Sequence, residues 1–370
     1  MSRFPTPLDC VQNLASYQPG KPIEELAREL SLDPETIVKL ASNENPLGCS
    51  ELVAQEVSRE LSEVARYPDG GGYILKNRLS SKLGIPLDSL ILGNGSNDIL
   101  EMAAIAFLDH DRSAIYSEFC FVVNKLATQT RAAEGIEVRS MSYGHDLERM
   151  YDAIRDDTRI IFISNPNNPT GTFIPPTEIL RFIESVPEHI LVILDEAYYE
   201  YLPENLQSDS VNWIKRFPNL LVTRTFSKIY GLASFRVGYG MANPSLAEVL
   251  NRVRQPFNVN SYGLAAAAAA LSDDAFVRAS VQANNIGMRQ LVSVAEKLEL
   301  AYIPSHGNFL TIEFKQAGIE VYTKLLERGI IVRPLGGYGL PYHLRVSVGL
   351  ESENERLCVA LESLINSLAD

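Results

Sequence analysis

The sequence predicts an α/β protein in which a mostly parallel central sheet, with helices on both faces, is joined to a smaller α+β domain. Three observations predict it. Apolar runs at residues 160–164 (IIFIS), 190–194 (ILVIL) and 219–223 (NLLVT) read as strands buried on both faces, since none has the polar alternation of a half-solvated strand. Helix-like segments separate the runs, which is the order that yields parallel neighbours. Finally, Asn168, Asp195 and Lys228 follow successive strand ends, the edge where open α/β sheets bind ligands.

The length of 370 residues allows two domains and a sizeable core. A net charge of −13 argues against nucleic acid, which requires a basic face. Any anionic substrate must then be met by a few placed arginines. Cys10, Cys49, Cys120 and Cys358 show no CxxC spacing and the five histidines are dispersed, so a reducing cytoplasm and no metal site are expected. With no leader-like start and no apolar run of about 18 residues, neither export nor a membrane span is expected.

In chain order, residues 1–40 form an arm: Pro19, Gly20 and Pro22 precede a one-faced helix at 23–30 (IEELAREL). The arm is assigned to pack with the small domain; the large domain spans 41–258 and the small one 259–370. Residues 41–48 (ASNENPLG) are turn-forming. Gly70, Gly71 and Gly72 follow Tyr67, and three glycines in a row need something nearby to fix them. Residues 90–98 (LILGNGSND) read as strand, glycine turn and helix start, either with first-turn N–H groups receiving an anion or as a plain structural turn. No GK[ST] follows and GxGxxG is incomplete, so no nucleotide loop is implied. Short strands are expected at 113–116 and 136–139, with Phe119 after the first.

Asp195 ends an otherwise apolar strand, where a carboxylate is costly unless paired. The segment 225–232 (TFSKIYGL) sets Lys228 among hydroxyls, and Arg236 follows eight residues on. Lysine becomes an imine-forming nucleophile once deprotonated, and hydroxyls with an arginine suit a phosphate monoester. Together these suggest pyridoxal phosphate held on Lys228. Beyond a break at 254–261, an alanine helix (265–271), strands at 308–312 and 344–348, and helices at 319–327 and 353–368 build the smaller domain.

Asn168-Pro169-Thr170-Gly171, Asp195 with Tyr198, the Lys228 segment with Arg236, and Arg345 together resemble the type I fold of pyridoxal-phosphate aminotransferases. Within it the sequence is similar to the histidinol-phosphate aminotransferase family, through Tyr17, residues 41–48, 66–69 (RYPD) and 329–333 (GIIVR). The resemblance implies these roles. Lys228 forms the cofactor imine and then shuttles the proton, while Asp195 pairs with the pyridinium nitrogen. Asn168 and Tyr198 bond the ring oxygen, and Phe119 stacks on the ring where the family often has Tyr. Gly95, Ser96, Asn97, Thr225 (serine in many relatives), Ser227 and Arg236 cup the phosphate. Arg333 and Arg345 hold substrate anions, with Asn45 and Tyr17 also in the substrate pocket. Tyr67 reaches the phosphate in the neighbouring subunit of a homodimer. The implied partners are histidinol phosphate and glutamate with 2-oxoglutarate. Aromatic amino-acid transamination on the same site stays open, because apolar walls discriminate such rings by only about 1–3 kcal/mol. A threonine-phosphate decarboxylase is a more distant alternative. A transcriptional sensor would need a basic DNA-binding domain ahead of Ala41, and the residues there are not basic.

Overall fold

The computed structural model describes residues 5–12, 14 and 20–369, with side chains as far as Ile365. In chain order its strands are β1 (Val38–Lys39), β2 (Leu90–Gly93), β3 (Ser113–Ser117), β4 (Glu134–Val138), β5 (Thr158–Ser164), β6 (Leu191–Asp195) and β7 (Leu220–Thr225). There follow β8 (Gly238–Ala242), β9 (Tyr302–Ile303), β10 (Phe309–Glu313), β11 (Ile330–Ile331), β12 (Arg333–Pro334) and β13 (His343–Ser347).

Seven strands form the central sheet in the order β2-β8-β7-β6-β5-β3-β4. All neighbours are parallel except β8, which runs antiparallel to both β2 and β7. No helix of two or more turns intervenes between β7 and β8, so the chain turns straight back. Period-2 alternation explains the apolar runs: Ile161, Ile163, Val192, Leu194 and Val222 face one core, while Ile160, Phe162, Leu191, Ile193 and Leu221 face the other. Both faces are covered, as expected of a parallel sheet.

A third core surrounds the antiparallel sheet β12-β13-β10-β9. The alanine segment, read from sequence as part of the small domain, instead packs against the helices Glu51–Glu60 and Tyr73–Leu83, with Ala266–Leu271 inside the core cluster of the large domain. The helix Asp274–Lys297 bridges the domains: Val277 and Val281 touch a core of the central sheet, while Leu291, Val294 and Ala295 belong to the core of the antiparallel sheet. At the N-terminal side β1 pairs with β11, and Leu26 and Ala27 of the helix Ile23–Leu30 pack against Ile331. Among the described residues no helix is long and apolar enough to cross a membrane.

Candidate active site

A cavity of about 250 Å³ opens at the C-terminal ends of β5, β6 and β7, with Asn168, Asp195, Tyr198 and Lys228 in its wall. The geometry follows from the strands. Asp195 is the last residue of β6, beside Thr223 of β7, whose Oγ1 donates to Asp195 Oδ1 at 2.9 Å. Burial pushes the Asp195 carboxyl up to about 6 even against that hydrogen bond. Lys228 lies three residues past β7, and its Nζ donates to Ser42 O at 3.2 Å. Burial, helped by the Arg345 guanidinium, pulls its ammonium down to about 8, so an appreciable fraction of neutral amine exists near physiological pH. Burial likewise raises Tyr198 to about 12, which keeps it a phenol.

The cavity also has an end built for an anion. Gly95 (φ +83°) caps the helix Ser96–Phe107, so the first-turn N–H groups of Ser96 and Asn97 face outward. A Cβ on Gly95 would lie 2.6 Å from Arg236 Nη2, so only glycine lets the guanidinium close on the helix start. Gly238 at the head of β8 is needed for the same reason, since its Cβ would meet Ser96 N at 2.4 Å. Arg236 also donates to Ser227 Oγ at 3.4 Å, and Thr225 Oγ1 accepts the Ser227 N–H at 3.1 Å. Helix N–H groups, two hydroxyl residues and a guanidinium thus converge, which fits a phosphate monoester.

The segment 41–45 straps these parts to the smaller sheet. Ala41 O accepts from Arg345, Ser42 O from Lys228, and Asn43 O from Asn308. Arg345 on β13 also donates to Asn168 Oδ1 at 2.6 Å, and Arg333 of β12 joins the cavity wall.

Of the residues singled out from sequence, Ser96, Asn97, Asn168, Asp195, Tyr198, Thr225, Ser227, Lys228, Arg236, Arg333 and Arg345 line this one cavity, and Gly95 lies against Arg236. Three do not. Phe119, expected on the cofactor ring, is packed with Leu335 and Leu340 and against Tyr338, and Phe121 lines the cavity. Asn45, expected near substrate, is buried beside the site, where its Nδ2 donates to Ile229 O and Ser280 Oγ. Tyr67 is 83% exposed, stacked on Phe257, and absent from its own chain's cavity. Tyr17 lies outside the described residues. The glycine loop beside Tyr67 is fixed by Asp69, whose carboxylate accepts the N–H groups of Gly71 and Tyr73. Sequence reading missed Phe121, Tyr338 and Glu44 in the wall; for Phe121 the aromatic pair itself was the available signal.

An anion cup, an acid and a lysine thus meet at one edge of the central sheet. The family model of aminotransferase class I and II matches residues 35–361. A histidinol-phosphate aminotransferase of Nitrosospira multiformis is 51% identical over 364 residues, covering 97% of this chain and 93% of its own. One from Thiobacillus denitrificans is 53% identical over 355 residues, 96% of this chain and 92% of its own. The crystal structure of the Sinorhizobium meliloti histidinol-phosphate aminotransferase in complex with pyridoxal 5'-phosphate superposes with a TM-score of 0.90 at 26% identity, covering 100% of this chain and 99% of that one. A Thermus thermophilus aspartate aminotransferase shares the fold, with a TM-score of 0.82 at 21% identity over 98% of this chain and 100% of its own. The chain belongs to the class I and II aminotransferase family, in the branch of its histidinol-phosphate aminotransferase relatives.

Proposed function

We propose that this chain transfers the amino group of histidinol phosphate to 2-oxoglutarate, giving imidazole-acetol phosphate and glutamate in histidine biosynthesis, with pyridoxal phosphate as cofactor. The observation that carries this reading is a single cavity combining Lys228, Asp195 and an anion cup with two further arginines, Arg333 and Arg345. When bound, the cofactor supplies an electron sink for the charge that develops at the substrate's Cα.

The chain's own residues do the rest. Lys228 binds the cofactor through its amine and, once displaced, moves a proton at Cα through Nζ. Asp195, with a pKa near 6, is a carboxylate at neutral pH and pairs with the protonated ring nitrogen. Because Asn168 Oδ1 accepts from Arg345, its Nδ2 is the end left to donate to the ring oxygen, together with the Tyr198 phenol. The N–H groups at Ser96 and Asn97, the hydroxyls of Thr225 and Ser227, and Arg236 hold the phosphate. Phe121 supplies the aromatic wall. Arg333 and Arg345 take the substrate's phosphoryl group, and Arg345 takes the carboxylate of glutamate.

The enzyme is a cytoplasmic homodimer with shared sites, to which Tyr67 of the partner subunit contributes. Supporting this, Leu61, Val64, Tyr67, Tyr73 and Ile74 are each at least 60% exposed along one stretch of chain, an apolar surface unusual on a monomer. Initial rates with histidinol phosphate, phenylalanine and tyrosine against 2-oxoglutarate test the substrate. The expected kcat/KM favours histidinol phosphate by at least about 100-fold, since lost contacts to a charged group cost far more than a changed ring. Equal or faster turnover of an aromatic amino acid would overturn it.

A further inference from the structure

The strap contains a hydrogen-bonded chain that the reaction as described leaves unused. The backbone N–H of Asn43 donates to Ser347 Oγ at 2.7 Å, Ser347 Oγ donates to Asn43 Oδ1 at 3.0 Å, and Asn43 Nδ2 donates to Tyr198 Oη at 2.9 Å. All three residues are buried. A backbone N–H can only donate, so Ser347 Oγ accepts it, and with Asn43 Oδ1 on its other side the hydroxyl gives its single proton to that oxygen. With Oδ1 accepting, the end of the amide against Tyr198 is the NH2 group, a donor. Asn43 holds φ at +53°, a left-handed conformation that asparagine adopts more readily than other residues with a side chain.

The geometry points to Asn43 as a positioning residue: by donating to Tyr198 Oη it takes one side of the phenol oxygen and turns the Tyr198 O–H toward the cavity, as a donor to the ring oxygen of the bound cofactor. The inference rests on the proposed placing of that cofactor. A phenol carries one proton, and a neighbour that accepted it would leave nothing to donate to the ring oxygen. Tyr198 stays protonated across neutral pH, so the proton is there to be directed. Ser347 lies two residues from Arg345 on β13, so the strand that brings the substrate-binding arginine also sets the direction of this donor.

The test is a pH titration of the visible absorbance of the cofactor-bound protein, with cofactor Kd and Tm measured alongside. The ring oxygen bears more unshared negative charge after the neighbouring proton leaves, so a donor there lowers the midpoint and its loss raises it. Tyr198 is faced by Arg345, Asp195 and Tyr338, and Lys228 by Arg345, Glu44, Arg236 and Asp195; all remain in the variants used. Asn43→Gly keeps the left-handed backbone and removes the amide, while Asn43→Leu also keeps water out. Both should raise the midpoint by about half to one pH unit, the equivalent of one neutral hydrogen bond. Ser347→Ala, which frees the amide to turn, should shift it less and in the same direction. In a Tyr198→Phe background Asn43→Gly should add no shift, because the residues act in series. A midpoint unmoved by both Asn43 variants, or a full shift persisting without the phenol, would overturn the inference while visible absorbance still supported the cofactor reading. Loss of that absorbance from the unsubstituted protein would instead remove the reading itself. If the Asn43 variants fail to fold, Ser347→Ala with and without Tyr198→Phe decides by the same readout.

Discussion

Arg345 Nη1 donates to Asn168 Oδ1 at 2.6 Å, joining the smaller sheet to the loop beyond β5. The same guanidinium gives Nη2 to Ala41 O at 2.7 Å. One residue therefore orients the Asn168 amide and ties down the strap, and in the proposed reading it also presents positive charge to a substrate anion. Arg345→Lys keeps the charge but loses the fork. Its kcat/KM should fall by roughly 10–100-fold with histidinol phosphate and with glutamate alike.

In the proposed reading Arg333 has a narrower part. Arg333→Ala should lower kcat/KM for histidinol phosphate by roughly 10–100-fold and leave the glutamate half-reaction within a few-fold. Equal losses in both half-reactions would make Arg333 structural.

Asp195→Asn should retain cofactor and lose about 10²–10³-fold in kcat, the usual magnitude for a lost transition-state charge contact. The same substitution should stabilise the cofactor-free protein at neutral pH. With a folded pKa near 6 against the ordinary 3.8 of an aspartate, the carboxyl binds its proton more tightly when folded. Its stabilising contribution is therefore present below about pH 4 and lost as pH rises through about 6, a cost on the order of 2–3 kcal/mol at pH 7. Urea unfolding of both proteins without cofactor at pH 4.5 and pH 7.5, values roughly bracketing the folded pKa, should show a clearly larger gain at the higher pH.

Phe121→Leu should weaken cofactor binding by about 2–10-fold through loss of an aromatic face. Phe119→Leu should cost only stability, of order 1 kcal/mol. Cofactor titration of the two variants separates the aromatics, and the reverse ranking would return Phe119 to the ring.

Much of this was legible because strand ends announce themselves: an acid after ILVIL and a lysine after NLLVT have few physical reasons to be there. Boundaries slipped where pattern was weakest. β7 runs on to Thr225, because Arg224 is held in the interior by Glu196 across a 2.8 Å ion pair. β8 escaped notice altogether, since Gly238 and Gly240 dilute its apolar signal; both are fixed by close neighbours that no local pattern reveals. Phe119 and Phe121 differ only in which way a turn faces, and Asn43 and Asn45 only in what long-range partner each meets. Such choices are tertiary, and composition carries no trace of them.

Shared sites predict complementation. A Lys228→Ala chain mixed with a Tyr67→Phe chain gives hybrids in which one site carries both substitutions and the other neither. Provided Tyr67→Phe alone is impaired, activity above the mean of the two parents after re-equilibration places Tyr67 in the partner's site. A simple average places it in its own.

Borohydride reduction of the cofactor-bound protein followed by peptide mapping tests the central claim, that chemistry is organised around the lysine beyond β7. The label should fall on Lys228, and Lys228→Ala should lose both the label and transamination. A label on any other lysine, or an active Lys228→Ala protein, would contradict the account.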